Sequence, residues 1–262
     1  MRLDQYLVAH GYFESRNKAA ASVKDGCFTV NGKHVTKPSF EISETSVVEG
    51  MPQKTYVARS AHKLVQAFSA FSLNWEHKTV VDLGASTGGF CQVLLENNVQ
   101  KIYAVDIGTA QLHASLKEDP RIINMEHTNA RYVEAASFPE PIDVITADLS
   151  FISIKLVLPA VYKTLTEEGE AVVLIKPQFE AGPTHLSKSG VVSDRKIHLR
   201  ILSDVTDFAE QLGFGILGLA FSGLSGESGN REYLLYLKKD VKTSVSIPTI
   251  AQYAVNTEEY HA

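Results

Sequence analysis

Residues 80–90 read VVDLGASTGGF: a short apolar run breaks into a glycine-rich turn, and from Phe90 the helical pattern FCQVLLENN takes over. An apolar run that ends at glycines is the mark of a strand buried on both faces, as in parallel sheets. Gly84 allows a tight turn with close backbone approach to a ligand, and Gly88 and Gly89 open the next helix without side-chain obstruction. Outward from this point the same alternation continues. KIYAVDIG (101–108), RIINMEH (121–127), PIDVITADL (141–149), EAVVLIK (170–176), GFGILGLAF (213–221) and EYLLYLK (232–238) are strand-like, with helical stretches between them. That alternation predicts an α/β, Rossmann-like sheet over residues 59–240.

The first fifty residues follow a different plan. Leu3, Tyr6, Leu7 and His10 recur at helical spacing and stop at Gly11; Ser15 caps a second helix that ends near Gly26. Asn31-Gly32 between two β-rich runs in CFTVNGKHVTKP then signals a hairpin. The predicted organisation is a small α+β domain at 1–50, a linker at 51–58, the large domain at 59–240, and a tail from 241 to 262 without periodicity.

The 262 residues carry 44% hydrophobic side chains, enough for a real core, and a net charge of −5, which argues against a surface coated in positive potential. The charge is unevenly spread. Residues 1–40 hold six basic side chains against three acidic ones, a local balance of +3. The N-terminal stretch mixes charges into its apolar positions, which predicts neither a signal peptide nor a membrane span. Cys27 and Cys91 lie in unrelated contexts without partners at metal-ligand spacing, so a reducing, cytoplasmic setting and no metal are expected.

The turn after residue 83 lacks the GxGxxG spacing of a dinucleotide site, and Asp82 places a carboxylate where a pyrophosphate prefers N–H donors. A cationic, amino-acid-bearing ligand suits it better, and S-adenosylmethionine is the common one. Its expected contacts are Asp82, Gly84, Ser86, Gly88, Gly89, Phe90 and Asp148, with Asp106 on ribose hydroxyls and Asn129 on the adenine edge. The fourth strand ends ADLSFIS, without the double proline and aromatic residue of base-amine methyltransferases, and neither cysteine stands where a cytosine C5 nucleophile is needed.

Strand ends carry Asp148 and Lys176 instead, with Glu232 opening the last strand and Lys63 beginning the helix before the first one. Lysine, aspartate, lysine and glutamate in this order resemble the tetrad of FtsJ-type ribose 2′-O-methyltransferases, in which the last strand is antiparallel and brings its first residue to the ends of the parallel strands. The opening RLDQYL, SRNKAA and TVNGK resemble the RNA-binding module of ribosomal small-subunit protein four, whose basic face would here be Arg2, Arg16, Lys18, Lys24 and Lys33. Together they are similar to the TlyA, or hemolysin A, family. That resemblance implies methylation of a ribose 2′-hydroxyl in ribosomal RNA within ribosomal subunits, with Lys63, Asp148, Lys176 and Glu232 as catalytic residues. Ser60 and Ala61 replace a glycine pair common in the family.

A ribose hydroxyl must lose its proton as it attacks, which makes Lys176 the candidate base. A desolvated strand end with Lys63 as a nearby second cation would lower its pKa, while Asp148 and Glu232 would orient the lysines and the target hydroxyl. The glycine- and serine-rich stretch 177–194 is a candidate lid with Lys188 and Arg195 for phosphates, and SGLSGESGNRE (222–232) is a candidate flexible neighbour. Two other readings compete. A cytolysin would need an insertion segment, which the sequence lacks; a non-catalytic ribosome-binding factor would have no use for an intact tetrad.

Overall fold

The computed structural model describes residues 1–257 except 14, 25, 44, 51–55 and 226–228. Two compact units are present, residues 1–55 and a second beginning at Tyr56. The expected linker at 51–58 falls largely outside the described residues, as does the centre of the 222–232 stretch.

In the first unit α1 (Leu3–Ala9) and α2 (Arg16–Lys24) cover a small sheet of β1 (Phe28–Val30), β2 (Lys33–His34) and β3 (Val48–Gly50). Leu3, Leu7, Ala19, Val23 and Phe28 are buried between the layers. Asn31 and Gly32 both adopt left-handed backbone, with φ of 51° and 74°, the geometry that a two-residue hairpin turn requires. The hairpin is thus where the sequence placed it. The strand β3, which pairs with the other edge of β1, was not foreseen.

The second unit runs α3 (Ala61–Phe71), β4 (Thr79–Leu83), α4 (Gly89–Glu96), β5 (Lys101–Val105), α5 (Ala114–Lys117), β6 (Ile122–Met125), β7 (Ile142–Ala147), α6 (Leu158–Thr164), β8 (Leu165–Ile175), α7 (Pro177–Glu180), α8 (Arg195–Leu212), β9 (Phe214–Ser225), β10 (Arg231–Lys239) and α9 (Ile247–Asn256). The sheet order is β6-β5-β4-β7-β8-β10-β9, with β10 antiparallel to both of its neighbours. Successive side chains feed opposite faces. Val81 and Leu83 join the core under α6, α8 and α9, while Val80 joins the core under α3 and α4. The order reverses between β4 and β7, and at that switch point a crevice opens at the carboxyl ends of the strands.

Residues 171–175 of β8 are all buried, because β7 and β10 flank the strand and helices cover its faces. Each large apolar side chain there contributes ~1.5–3 kcal/mol by burial, so the strand end is firmly anchored. Lys176 follows in extended backbone, as a residue before proline must, and Pro177 starts α7.

Among the described residues, the tail from 241 contains a packed helix. Helix α9 buries Ala251, Ala254 and Val255 and packs on α8 and β9. Ile247, Ile250, Ala251, Ala254 and Val255 recur at i, i+3, i+4, i+7 and i+8, so the apolar stripe is a regular helical one.

Candidate active site

A cavity of about 480 Å³ lies at the ends of β4, β5, β6 and β7. Gly84 and Ser86 from the glycine turn, Asp106 after β5, Asn129 after β6 and Asp148 after β7 all line it. Gly84 has φ of 84°, and a side chain there would meet the Asp148 carbonyl oxygen at 2.7 Å, so the turn passes against the neighbouring loop as only glycine allows. Asp106 is fixed by two backbone amides: Ser86 N–H donates to Oδ2 at 2.8 Å and Gly108 N–H to Oδ1 at 2.7 Å. Asn129 Oδ1 accepts from Arg131 N–H at 3.0 Å.

Other expected ligand contacts sit outside the wall. Asp82 is 1% exposed beneath the cavity, where it accepts from Thr146 Oγ1 at 2.8 Å and Cys91 Sγ at 3.2 Å. The reason is pleat parity: Asp82 shares its face with Val80 and points toward α4. Burial raises its pKa to about 7, against the lowering effect of the two hydrogen bonds, and the charges of Asp148 and Asp106 add to the rise. Gly88, Gly89 and Phe90 are likewise not in the wall. Phe90 is buried in the core, and Gly89 lets the start of α4 pack on Ala58 and Ser60.

Beside the cavity the four residues of the tetrad meet. Lys63 Nζ, from the first turn of α3, is 3.1 Å from Asp148 Oδ2 and 2.6 Å from Glu232 Oε2. Lys176 Nζ is 2.7 Å from Asp148 Oδ1 and donates to Ser150 Oγ at 3.0 Å. Gln178 Nε2 donates to the free Oε1 of Glu232 at 3.3 Å. Burial works against the charge of Lys63, but Asp148 and Glu232 outweigh it and raise its pKa. Burial likewise opposes the charge of Asp148, and the two lysines hold its pKa below the ordinary carboxylate value. Lys63 is therefore matched by two carboxylates. It is the second cation near Lys176, and the two acids favour its charged form.

Several residues escaped the sequence reading. Gln111, Thr128, Leu149 and Ile152 line the cavity, and Phe151 stands at its rim with 91% of its surface exposed. Phe151 has φ of 64°, costly for an aromatic residue, and its ring lies 5.3 Å from that of Phe179. Glu180 ties this segment to α7 by accepting from Ser153 Oγ at 2.6 Å and Ile154 N–H at 2.7 Å. The only sequence signal was FISIK running on without regular periodicity after a strand.

The 177–194 stretch is more structured than a loose lid. Val192 N–H donates to Asn230 Oδ1, Asn230 Nδ2 donates to Gly190 O, and His198 Nε2 bonds to Val192 O. These bonds fasten its end to the strand that carries Glu232. Lys188 is exposed on this stretch, and Arg195 opens α8.

In the first unit Arg2, Arg16 and Lys24 line an open depression together with Asp4, Asn17 and Ser39. Lys18 and Lys33 are exposed outside it.

A mostly parallel seven-stranded sheet with one antiparallel insertion, a strand-end cavity and a buried Lys/Asp/Lys/Glu cluster define a Rossmann-like methyltransferase. Residues 56–239 match the FtsJ-like methyltransferase model and residues 1–48 the S4 domain model, so the chain belongs to the FtsJ-like methyltransferase family with an S4 domain ahead of it. Hemolysin A of Brachyspira hyodysenteriae is 39% identical over 237 residues, 90% of this chain and 99% of that one. The 16S/23S rRNA (cytidine-2′-O)-methyltransferase TlyA of Mycobacterium tuberculosis is 37% identical over 247 residues, covering 94% of this chain and 92% of the relative. A solved structure from Streptococcus thermophilus that carries a hemolysin label has 38% identity and a TM-score of 0.73, covering 97% of this chain and 95% of the other. Among the described residues, no helix is long and apolar enough to cross a membrane.

Proposed function

We propose that this chain is an S-adenosylmethionine-dependent ribosomal RNA 2′-O-methyltransferase acting on ribosomal subunits in the cytoplasm. The observation that carries this reading is the junction of Lys63, Asp148, Lys176 and Glu232 at the edge of a ligand-sized cavity. The relative from Mycobacterium tuberculosis bears the same activity in its name.

The cavity fits the methyl donor. Asp106, oriented by two amides, keeps lone pairs for ribose hydroxyls, and Asn129 and the apolar side chains of Ile107, Leu149 and Ile152 would frame the adenine. Asp148 presents a carboxylate to the cationic end, while Asp82 ties β4 to β7 and α4 through Thr146 and Cys91. When bound, S-adenosylmethionine supplies an electrophilic sulfonium methyl, whose S–C bond breaks as a ribose O–C bond forms.

The chain's own residues handle the proton. Lys176 contacts one carboxylate and Lys63 two, so Lys63 is the more firmly held of the pair and Lys176 is the lysine left to meet the target hydroxyl. Its Nζ takes the hydroxyl proton, and Asp148 then stabilises the ammonium so formed. Lys63, held charged by Asp148 and Glu232, keeps Asp148 in place. Phe151, exposed at the rim, offers a stacking face to the base of the target nucleotide.

Unmodified small and large ribosomal subunits, incubated separately with labelled S-adenosylmethionine and digested to nucleosides for mass spectrometry, test the reading. A 2′-O-methylated nucleoside is expected. A base-methylated product, or no transfer to either subunit, contradicts it.

A further inference from the structure

Asp4 is an acidic residue at the centre of the basic depression, where an RNA-binding surface would ordinarily exclude one. It is 3% exposed. Arg2 grips it with both arms of a fork, Nε to Oδ1 at 3.0 Å and Nη2 to Oδ2 at 2.9 Å, and Arg16 Nη2 reaches the same Oδ2 at 3.2 Å. The arginine side chains remain 43% and 52% exposed. One carboxylate thus holds the inner edges of two guanidiniums, and their remaining N–H donors stay open to the depression that Lys24, Asn17 and Ser39 also line. Two cations brought together by sequence alone would repel and swing apart into solvent. Asp4 removes that repulsion and costs the surface one negative charge that is itself buried.

We propose that Asp4 is a positioning residue that sets Arg2 and Arg16 as a paired clamp for an RNA backbone phosphate, so that a negative charge strengthens RNA binding. The inference rests on the ribosomal RNA reading above. Its sign separates it from plain electrostatics, under which removing an acid from a phosphate-binding surface tightens binding and steepens its salt dependence. The fork also gives a geometric criterion, because lysine carries the charge of arginine without its two-pronged donors.

The test measures binding of the full-length protein to ribosomal RNA fragments across a salt series, for the wild type, Asp4→Asn and Arg16→Lys, with thermal unfolding as a control for folding. Asp4→Asn is expected to weaken binding about fivefold or more and to lower the slope of log affinity against log salt by about one, as for a lost phosphate contact. Arg16→Lys is expected to weaken binding despite unchanged charge; Arg16 is half exposed, so this arm stands even where Asp4→Asn unfolds the domain. In a variant that lacks both arginines, Asp4→Asn is expected to have no further effect on binding. Equal or tighter binding by Asp4→Asn, or an unchanged affinity for Arg16→Lys, overturns the positioning role and leaves the RNA reading intact. A wild-type protein that binds none of the fragments overturns both.

Discussion

Lys63 Nζ and Glu232 Oε2 lie 2.6 Å apart although 169 positions separate them in the chain. The contact exists because β10 is antiparallel and inserted beside β8, which brings its first residues to the edge where the parallel strands end. Glu232 is buried, and its two oxygens are partnered by Lys63 and by the Gln178 amide. Replacing Glu232 with Gln leaves Lys63 with Asp148 alone and draws Asp148 away from Lys176. A fall in kcat of about 10- to 100-fold is expected, with donor affinity retained, since a displaced catalytic group costs on that scale. Single-turnover kinetics and calorimetric donor binding check it; a pure loss of donor affinity would place Glu232 in the ligand site instead.

Phe151 pairs high exposure with a left-handed backbone, a conformation that persists only where the surroundings enforce it; here Glu180 holds the following turn. Phe151→Ala should raise KM for ribosomal RNA about tenfold, the scale of one lost base-stacking contact, and leave the unfolding temperature unchanged. Phe151→Tyr should restore most of it. An unaltered KM removes Phe151 from substrate recognition.

Asp106 spends its two oxygens on amides and still faces the cavity. Asp106→Ala should weaken donor binding by about 10- to 100-fold, because hydrogen bonds to a charged group contribute ~1.5–3 kcal/mol. Calorimetry with S-adenosylmethionine measures it directly, and unchanged affinity would show that the ribose lies elsewhere.

Asp82 gives a pH signature. Burial raises its pKa from 3.8 to about 7 in the folded protein, so the folded state binds this proton more tightly than the unfolded one. Its stabilising contribution is complete below the unfolded value and is lost as pH rises through the folded value. Asp82→Asn carries no such proton. Relative to the wild type, the variant should therefore gain about 2 kcal/mol in stability between pH 5 and pH 8. Denaturant unfolding at the two pH values checks it, and a difference independent of pH would mean that Asp82 is already charged at pH 5.

Much of this was legible in residues whose type and position coincide with strand ends. Asp106, Asp148 and Lys176 each follow an apolar strand, so topology alone sends them to one edge. Asp82 was misplaced because it lies within β4, where pleat parity rather than chain position decides which way a side chain points. Phe151, Leu149 and Ile152 belong to a loop with no period to read. Helix α9 was equally legible, since Ile247, Ile250, Ala251, Ala254 and Val255 stand at helical spacing, and the reading of the tail as aperiodic overlooked them. The matching of Lys63 by two carboxylates depends on distances that no spacing encodes.

Single-turnover methyl transfer to ribosomal RNA by Lys176→Ala, alongside calorimetric binding of S-adenosylmethionine to the same variant, tests the proton-accepting role of Lys176. Unchanged donor affinity with transfer slowed about 100- to 10,000-fold is expected for loss of a general base. Transfer at the wild-type rate would contradict a proton-accepting role for Lys176.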